Sequence, residues 1–158
     1  MALIDEIKNK FTGGGSRQTM YTVTCEGIDP VLVSTATLPA AGIGTIEVPY
    51  RGRVFPLPGD RVAHGTWSFE LLGDDGMAGY KAMSAWSNAI NDFADNTGSP
   101  EYRDVTIEGL SNDGSPIITC KLKDAWISEL GEVSYSAAGT NALVTCSITL
   151  TYAWADYS

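Results

Sequence analysis

The closing segment of the chain, Ala142–Trp154, constrains the fold most, because apolar and polar residues alternate within it from Val144 to Tyr152. Its apolar positions are Val144, Cys146, Ile148, Leu150, Tyr152 and Trp154, and Thr145, Ser147, Thr149 and Thr151 lie between them. Successive side chains of a strand point to opposite faces, so this pattern predicts a strand with one buried face and one wet face. A strand of this length is expected to be central to an antiparallel sheet.

Other segments predict further strands, several of them with the same alternation. They are Thr19–Cys25, Val31–Ala36, Gly65–Leu72, Arg103–Leu110, Ser115–Lys123 and Asp124–Tyr135. Asn112-Asp113-Gly114 is a hairpin turn of the Asp-Gly type. Many short strands joined by Gly- and Asp-containing turns predict a β-sandwich or a half-open antiparallel barrel.

Two helices are predicted beside the sheet. The stronger runs from about Gly76 to Phe93 after the capping candidates Asp74-Asp75, with an apolar stripe at Met77, Tyr80, Met83, Trp86, Ile90 and Phe93. A short amphipathic helix over residues 2–11 precedes a Gly-rich hinge, and it is free to dock on its own domain or on a neighbour. We therefore expect residues 1–16 to form a helix with a hinge, and residues 17–158 to form one β domain.

The segment from Ala36 to Gly73 is long, rich in Gly and Pro, and too apolar for disorder. Thr45–Tyr50 and Arg53–Leu57 predict a hairpin about Arg51-Gly52, and Pro58-Gly59-Asp60 predicts a turn. Because the segment offers apolar side chains without obvious chemistry, we expect it to fold against another body, such as a second copy of the chain.

Charge and composition narrow the function. The chain carries 19 acidic and 10 basic residues and a formal net charge of −9, which argues against wrapping nucleic acid and fits simple solubility. Three cysteines in strand-like runs are expected to be small buried hydrophobes. No apolar run approaches the roughly 18 residues of a membrane helix, and the N-terminus lacks a signal-peptide pattern, so we expect folding in the cytoplasm.

Motifs for catalysis or cofactor binding are weak. The single histidine, His64, has no nucleophile motif near it, and Gly42-Ile43-Gly44 lacks the third glycine and the helix of a dinucleotide loop. Asp74-Asp75 and Asp92/Asp95 fit helix ends better than metal sites. The sequence predicts no enzyme, no metal and no cofactor.

Four motifs in order carry a family resemblance that spans nearly the whole chain. They are Arg17–Cys25 after the N-terminal helix, Ala36–Ala40 before Ile46–Pro49, Pro58–Arg61 before Trp67–Glu70, and Asp124–Glu132 before the strand ending Tyr152-Ala153-Trp154. In this order the chain resembles the tail tube proteins of contractile-tailed bacteriophages. The same fold family includes the haemolysin-coregulated tube protein of type VI secretion.

The resemblance implies a ring, usually of six subunits, stacked into a hollow tube. Residues 36–66 are then expected to reach the adjacent ring, with Arg51, Arg53, Asp60 and Arg61 setting register and Tyr50, Phe55 and Leu57 supplying buried area. The full expected set of inter-subunit and inter-ring contacts is Leu38, Pro39, Val48, Tyr50, Arg51, Arg53, Phe55, Leu57, Asp60 and Arg61.

In a tube, the excess of acidic over basic residues would also have a role. An acidic or neutral lumen would repel DNA phosphates and keep the duplex moving, and the lumen-facing acids are expected among Glu70, Glu108, Asp124, Glu129 and Glu132. The partners implied are sheath, baseplate, tail terminator and tape measure proteins, double-stranded DNA in the lumen, and no membrane. The protein would be assembled in the host cytoplasm and located in the virion tail. Two alternatives stay open: the tube of a phage-derived injection or secretion device, and a monomeric β-sandwich binding module.

Overall fold

A computed structural model describes residues 2–62, 65–94, 101–139 and 142–158. The helices are α1 (Ala2–Lys10) and α2 (Ala78–Ala94), and a 3-10 turn spans Pro30–Leu32. The strands are β1 (Tyr21–Thr24), β2 (Val33–Ala36), β3 (Gly42–Tyr50), β4 (Arg53–Val62), β5 (Thr66–Leu72), β6 (Arg103–Leu110), β7 (Pro116–Leu130), β8 (Thr145–Thr151) and β9 (Trp154–Tyr157).

The main sheet is antiparallel and runs in the order β1-β6-β7-β8-β5-β2. Its long strand β7 belongs to two halves: up to Ala125 it pairs with β6 and β9, whereas Trp126–Leu130 pairs with β8. Asp124 lies at the change of partner with a φ of 53°, the left-handed region that Asp tolerates better than most residues. The sheet turns at this corner and encloses one core, which confirms the predicted half-open antiparallel β fold.

The core collects the apolar faces of both halves of the sheet and one face of α2. The inward positions of β8, Cys146, Ile148 and Leu150, are buried as the alternation predicts. Met83 and Trp86 of α2 are also buried, and Tyr80 and Ile90 pack against the same cluster. The apolar stripe of α2 therefore covers the sheet, as expected from its spacing.

Two strand boundaries differ from the prediction. The closing strand is broken after Thr151, because Tyr152 N donates to Gly65 O while Ala153 N donates to Lys123 O, so the chain crosses from one half of the sheet to the other. Trp154 consequently begins β9 and is 66% exposed, although it was expected on the buried face. Conversely, the two segments predicted on either side of Asp124 form the single strand β7, which ends at Leu130 and not at Tyr135.

The hairpin predicted about Arg51-Gly52 is confirmed as β3 paired with β4. Arg51 and Gly52 have φ values of 46° and 78°, the signs of the turns that suit a two-residue hairpin loop. The predicted turn at Pro58-Gly59-Asp60 is wrong, because these residues lie within β4 and form a bulge opposite Ile43–Thr45. A Cβ on Gly59 would lie 3.1 Å from the Gly44 carbonyl oxygen, so glycine lets the two strands approach closely there.

Asp74 caps α2, and its removal should weaken the fold measurably. Asp74 Oδ1 accepts a hydrogen bond of 2.9 Å from the Ala78 backbone N–H. Asp74→Ala leaves that donor without its side-chain partner, so we expect a loss of about 1 kcal/mol in the free energy of unfolding, measured by urea titration. Asp75→Ala is the control and should change stability by roughly half that or less; equal losses would assign the effect to helix charge.

The three cysteines are buried and unpaired. Burial raises the pKa of the Cys25 thiol from 9.0 to about 11 and also raises the pKa values of Cys120 and Cys146. At pH 8 the thiolate fraction of folded Cys25 is therefore roughly hundredfold below that of an ordinary thiol. We expect a disulfide reagent to titrate three thiols in urea and none rapidly in the native protein. A thiol that reacts equally fast in both states would contradict this arrangement.

Candidate assembly surfaces

The β3–β4 hairpin, here called the arm (residues 42–62), is a ribbon whose strands pair with each other and with no other described strand. The cross-strand pairs Ile46–Leu57 and Val48–Phe55 lie beside Tyr50 on one face. All five side chains are exposed, Phe55 and Tyr50 by more than 60%. A two-stranded ribbon is at best marginally stable alone in water. An apolar face on such a ribbon is a surface suited to another body.

The other face of the arm is built differently. It carries Pro49, Pro56 and Pro58 with Glu47 and Val54. Proline removes backbone donors and is confined to edge positions of sheets. The arm thus presents one apolar face and one proline-rich face, and Val48, Tyr50, Phe55 and Leu57 of the predicted contact set share the apolar face.

The arm is also the cationic part of an acidic chain. It holds three arginines, Arg51, Arg53 and Arg61, against the two acids Glu47 and Asp60, a net of +1. Since the whole chain carries −9, the remaining residues carry −10. Among the described residues, the three ion pairs all involve Arg103 or Lys123, so no carboxylate pairs with Arg51 or Arg53.

Two hydrogen bonds fix the segment that leads into the arm to the body of the subunit. The Trp67 indole Nε1 donates to Thr37 O and the Tyr157 hydroxyl donates to Pro39 O, both at 2.6 Å. Leu38 lies between these two anchors and is 42% exposed. Of the predicted contact residues, Leu38 and Pro39 are therefore at the base, Asp60 and Arg61 are near the bulge, and Arg51 and Arg53 are at the tip.

A second surface is the outer face of β2, β5, β8 and the end of β7, here called the hydroxyl face. Ser68 Oγ lies 3.0 Å from Thr149 Oγ1 at its centre. Its side chains are mainly hydroxyls, with two acids and two apolar groups: Thr35, Thr66, Ser68, Glu70, Leu72, Trp126, Ser128, Glu129, Thr145, Ser147, Thr149 and Thr151. These strand segments contain no Lys or Arg, so the face offers no cation to a passing polyanion.

The five predicted lumen acids do not share one surface. Glu70 lies opposite Ser147 and Glu129 opposite Thr149, both on the hydroxyl face. Glu132 is exposed just beyond the end of β7, next to Gly131, whose N–H bonds Ser147 O. Glu108 pairs with Thr22 and Thr119 on the other half of the sheet, and Asp124 is at the corner. Alternation alone predicts which side of its own strand each acid takes, but not which half of the sheet that strand joins.

The sequence analysis did not identify which strands form the open edges of the sheet. In the described chain β2 pairs only with β5, and Trp126–Leu130 of β7 pairs only with β8. The sheet β2-β5-β8-β7 therefore has a free edge on each side. Free edges carry unpaired backbone donors and acceptors that can pair with another chain. The short run Val33–Ala36 gave no sequence signal that it would be an edge.

The helix α1 leaves its apolar stripe in solvent. Leu3, Ile4, Ile7 and Phe11 are each at least half exposed. The following hinge is tied to the β6–β7 turn, because Asn112 Nδ2 donates to Gly13 O and, at 3.2 Å, to Gly15 O. The stripe adds a second exposed apolar surface to that of the arm.

The part of the chain that the structure describes shows few groups suited to catalysis. It holds no group of three or more His, Cys, Asp or Glu side chains able to bind a metal ion. None of its helices is long and apolar enough to cross a membrane. His64, the one histidine, lies outside the described residues.

An open-edged sheet with a protruding apolar arm defines a structural protein that joins other chains. Its family is specified by residues 65–154, more than half of the chain, which match the model of the T4-like virus tail tube protein gp19. The chain belongs to this family. It is thus a structural tail tube protein and not an enzyme, as the motif order predicted.

One phage tail tube protein is similar to this chain in sequence, and two solved structures are similar to it in fold. The tail tube protein of Serratia phage KSP90 is 29% identical over 178 aligned residues, covering 100% of this chain and 99% of that protein. The fold is similar to the sheath/tube terminator of an extracellular contractile injection system (TM-score 0.68, 20% identity, 87% of this chain and 92% of that one). A chain of that system's sheath-tube complex gives a TM-score of 0.65 at 18% identity, with 92% of each chain covered. The chain is therefore a tail component of a phage or a related contractile particle.

Proposed function

We propose that this chain forms rings, each of six subunits, that stack into a tail tube with an acidic lumen through which double-stranded DNA is ejected. The observation that carries the proposal is the pair of free edges on the sheet β2-β5-β8-β7. A β2 edge of one copy pairing with the β7 edge of the next is a heterologous contact, and such a contact gives a ring when its rotation closes. Closure into a continuous barrel also removes the aggregation risk of free edges.

Stacking of rings is assigned to the arm. Its apolar face has no partner among the described residues of its own subunit. Ring-on-ring contacts do not close, so they extend into a filament. The contact residues proposed for it are Leu38, Pro39, Val48, Tyr50, Arg51, Arg53, Phe55, Leu57, Asp60 and Arg61. Helix α1, on its hinge within residues 1–16, is a further docking element of the β domain 17–158.

The lumen is assigned to the hydroxyl face. In a ring of six copies, Glu70 and Glu129 would together present twelve carboxylates, and these strands would present no Lys or Arg. Hydroxyls bind phosphate weakly compared with arginine, and the acids repel it, so the duplex would not be held by counterion release. Glu132 borders this face, whereas Glu108 and Asp124 are proposed to lie away from the lumen.

The assembly is tested by negative-stain electron microscopy of the purified protein over a concentration series, with sedimentation velocity alongside. Hollow rings or tubes are the expected result. A strict monomer at the highest concentration, also in the presence of sheath and baseplate proteins, would overturn the proposal and favour a monomeric β-sandwich binding module.

The lumen is tested by charge reversal. Glu70→Lys with Glu129→Lys should leave tubes intact but slow or block DNA ejection, because twelve added cations per ring would bind phosphate. The control pair Glu108→Lys with Asp75→Lys makes the same charge change away from the hydroxyl face. Normal ejection through tubes of the first variant would refute the lumen assignment.

A second candidate is the tube of a phage-derived contractile injector, because the similar structures above come from such a system. The partners proposed in either case are sheath, baseplate and terminator proteins, with a tape measure protein and DNA in a phage. Capsid and terminase genes beside this gene, and DNA in purified particles, are expected for the phage tube. Their absence would select the injector.

A further inference from the structure

A shallow pocket of about 360 Å³ lies where the sheet turns. It is lined by Tyr102, Asp124, Trp126, Tyr152 and Ala153, and is called the corner pocket below. Two strand irregularities meet here: the left-handed residue Asp124 of β7 and the crossing at Tyr152-Ala153. We propose that the corner pocket receives the tip of the arm, Tyr50–Arg53, from a second copy of this chain in the adjacent ring. This inference rests on the proposed stacking.

The chemistry of the pocket suits a guanidinium group. Tyr102 and Trp126 are 56% and 36% exposed, so their side chains are accessible to a partner. Among the described residues that line the pocket, Asp124 alone is charged, and none of them forms an ion pair or hydrogen bond with its carboxylate. Aromatic faces beside a carboxylate attract arginine through cation–π contact and charge together.

The tip of the arm supplies what the pocket lacks. Arg51 and Arg53 are exposed, and between Glu47 and Asp60 the arm contains no acid. The one contact of the Arg51 guanidinium with a described aromatic residue is to its neighbour Tyr50, 5.3 Å from the centroid. The tip is therefore cationic, and no carboxylate among the described residues pairs with it.

The subunit already uses the same arrangement once within its fold. The Arg103 guanidinium lies 4.5 Å from the centroid of the Trp86 ring. Its Nε is 3.9 Å from Glu26 Oε2, and its Nη2 is 3.6 Å from Glu101 Oε2. That site is an internal example of arginine held between an indole and carboxylates. The corner pocket offers an aromatic and a carboxylate with the arginine missing.

The length of the arm favours docking of its tip on a second copy of the chain over docking on its own subunit. From Gly42 to Tyr50 the strand extends about 26 Å at the usual rise per residue, and the arm pairs with no other described strand of its own body. Charge also favours the second copy, because the arm carries +1 and the rest of the chain −10. The tip of one subunit is thus attracted to the body of another.

The test neutralises the tip without disturbing its turn. Arg51→Asn with Arg53→Gln removes both charges, and Asn tolerates the left-handed conformation of residue 51. We expect the concentration needed for half-maximal tube assembly to rise on the order of tenfold, with single rings still forming. The matched control Arg17→Gln with Lys121→Gln has the same net charge and should assemble normally.

Substitutions of residues that line the corner pocket provide a second test. Asp124→Asn keeps the backbone preference and removes the charge, and Tyr102→Ala removes an aromatic wall; both should impair stacking while leaving rings. An engineered pair, Arg53→Cys with Tyr102→Cys, should form a disulfide between copies in assembled tubes. Normal stacking of the tip variant, or tubes without this cross-link, would overturn the inference and leave the proposed function standing. Failure of the wild-type chain to form rings or tubes would instead defeat the proposed function.

Discussion

Removal of the arm is expected to abolish tubes while leaving the subunit folded. In this variant residues 43–61 are replaced by Asn-Gly, which joins the paired residues Gly42 and Val62. The arm adds no strand to the main sheet and no residue to the buried core. The free energy of unfolding should therefore fall by about 1 kcal/mol or less. Urea titration and electron microscopy of the same preparation measure both effects.

A milder variant separates the apolar face from the mere presence of the arm. Val48→Ser with Phe55→Ser breaks one cross-strand pair of the apolar face, whereas Val54→Ser changes the proline-rich face. We expect the first to prevent stacking and the second to leave it nearly unchanged, because only the apolar face is assigned to a neighbour. Tubes of normal length from the armless chain would show that stacking resides elsewhere.

Replacing Trp86 by alanine is expected to cost about 3–5 kcal/mol in the free energy of unfolding. Trp86 is 1% exposed in the core, its Nε1 donates to Glu101 O at 2.8 Å, and Arg103 stacks on its ring. The substitution leaves a cavity and frees both polar partners. Urea denaturation followed by far-ultraviolet circular dichroism measures the loss.

Trp154→Ala is the matched control. This tryptophan is 66% exposed at the start of β9, so its removal should cost roughly 0.5 kcal/mol or less. Equal losses for the two variants would contradict the crossing at Tyr152-Ala153 that separates β8 from β9.

The two tryptophans also show how far sequence patterns reach. Trp86 was placed correctly because a helix repeats every 3.6 residues and its neighbours Met83 and Ile90 confirm the stripe. Trp154 was misplaced because the large apolar residues keep their two-residue spacing through the crossing, at Leu150, Tyr152 and Trp154. What breaks the strand is that successive amides donate to different halves of the sheet, Tyr152 N to Gly65 O and Ala153 N to Lys123 O. No local pattern contains these long-range contacts.

The same distinction holds for the assembly surfaces. The turn at Arg51-Gly52 was predictable because its residues and the flanking alternation are local. The bulge at Gly59 was not, because its cause is the close approach of Gly44 on the facing strand. Glu70 and Glu129 come together only through the register of β5, β8 and β7. Local chemistry predicts the strands, whereas the order in which they pair determines which side chains share a surface.

The unsupported arm has a kinetic consequence for building a filament. A ribbon that gains its packing only on a neighbour must lose conformational freedom at the moment of docking. The first subunits to meet would bear that cost without a complete neighbouring ring to compensate, whereas a subunit joining a finished ring would gain every contact at once. Growth should therefore show a lag that preformed ends abolish. The timing and place of tube growth would then be set by whichever structure presents the first ring.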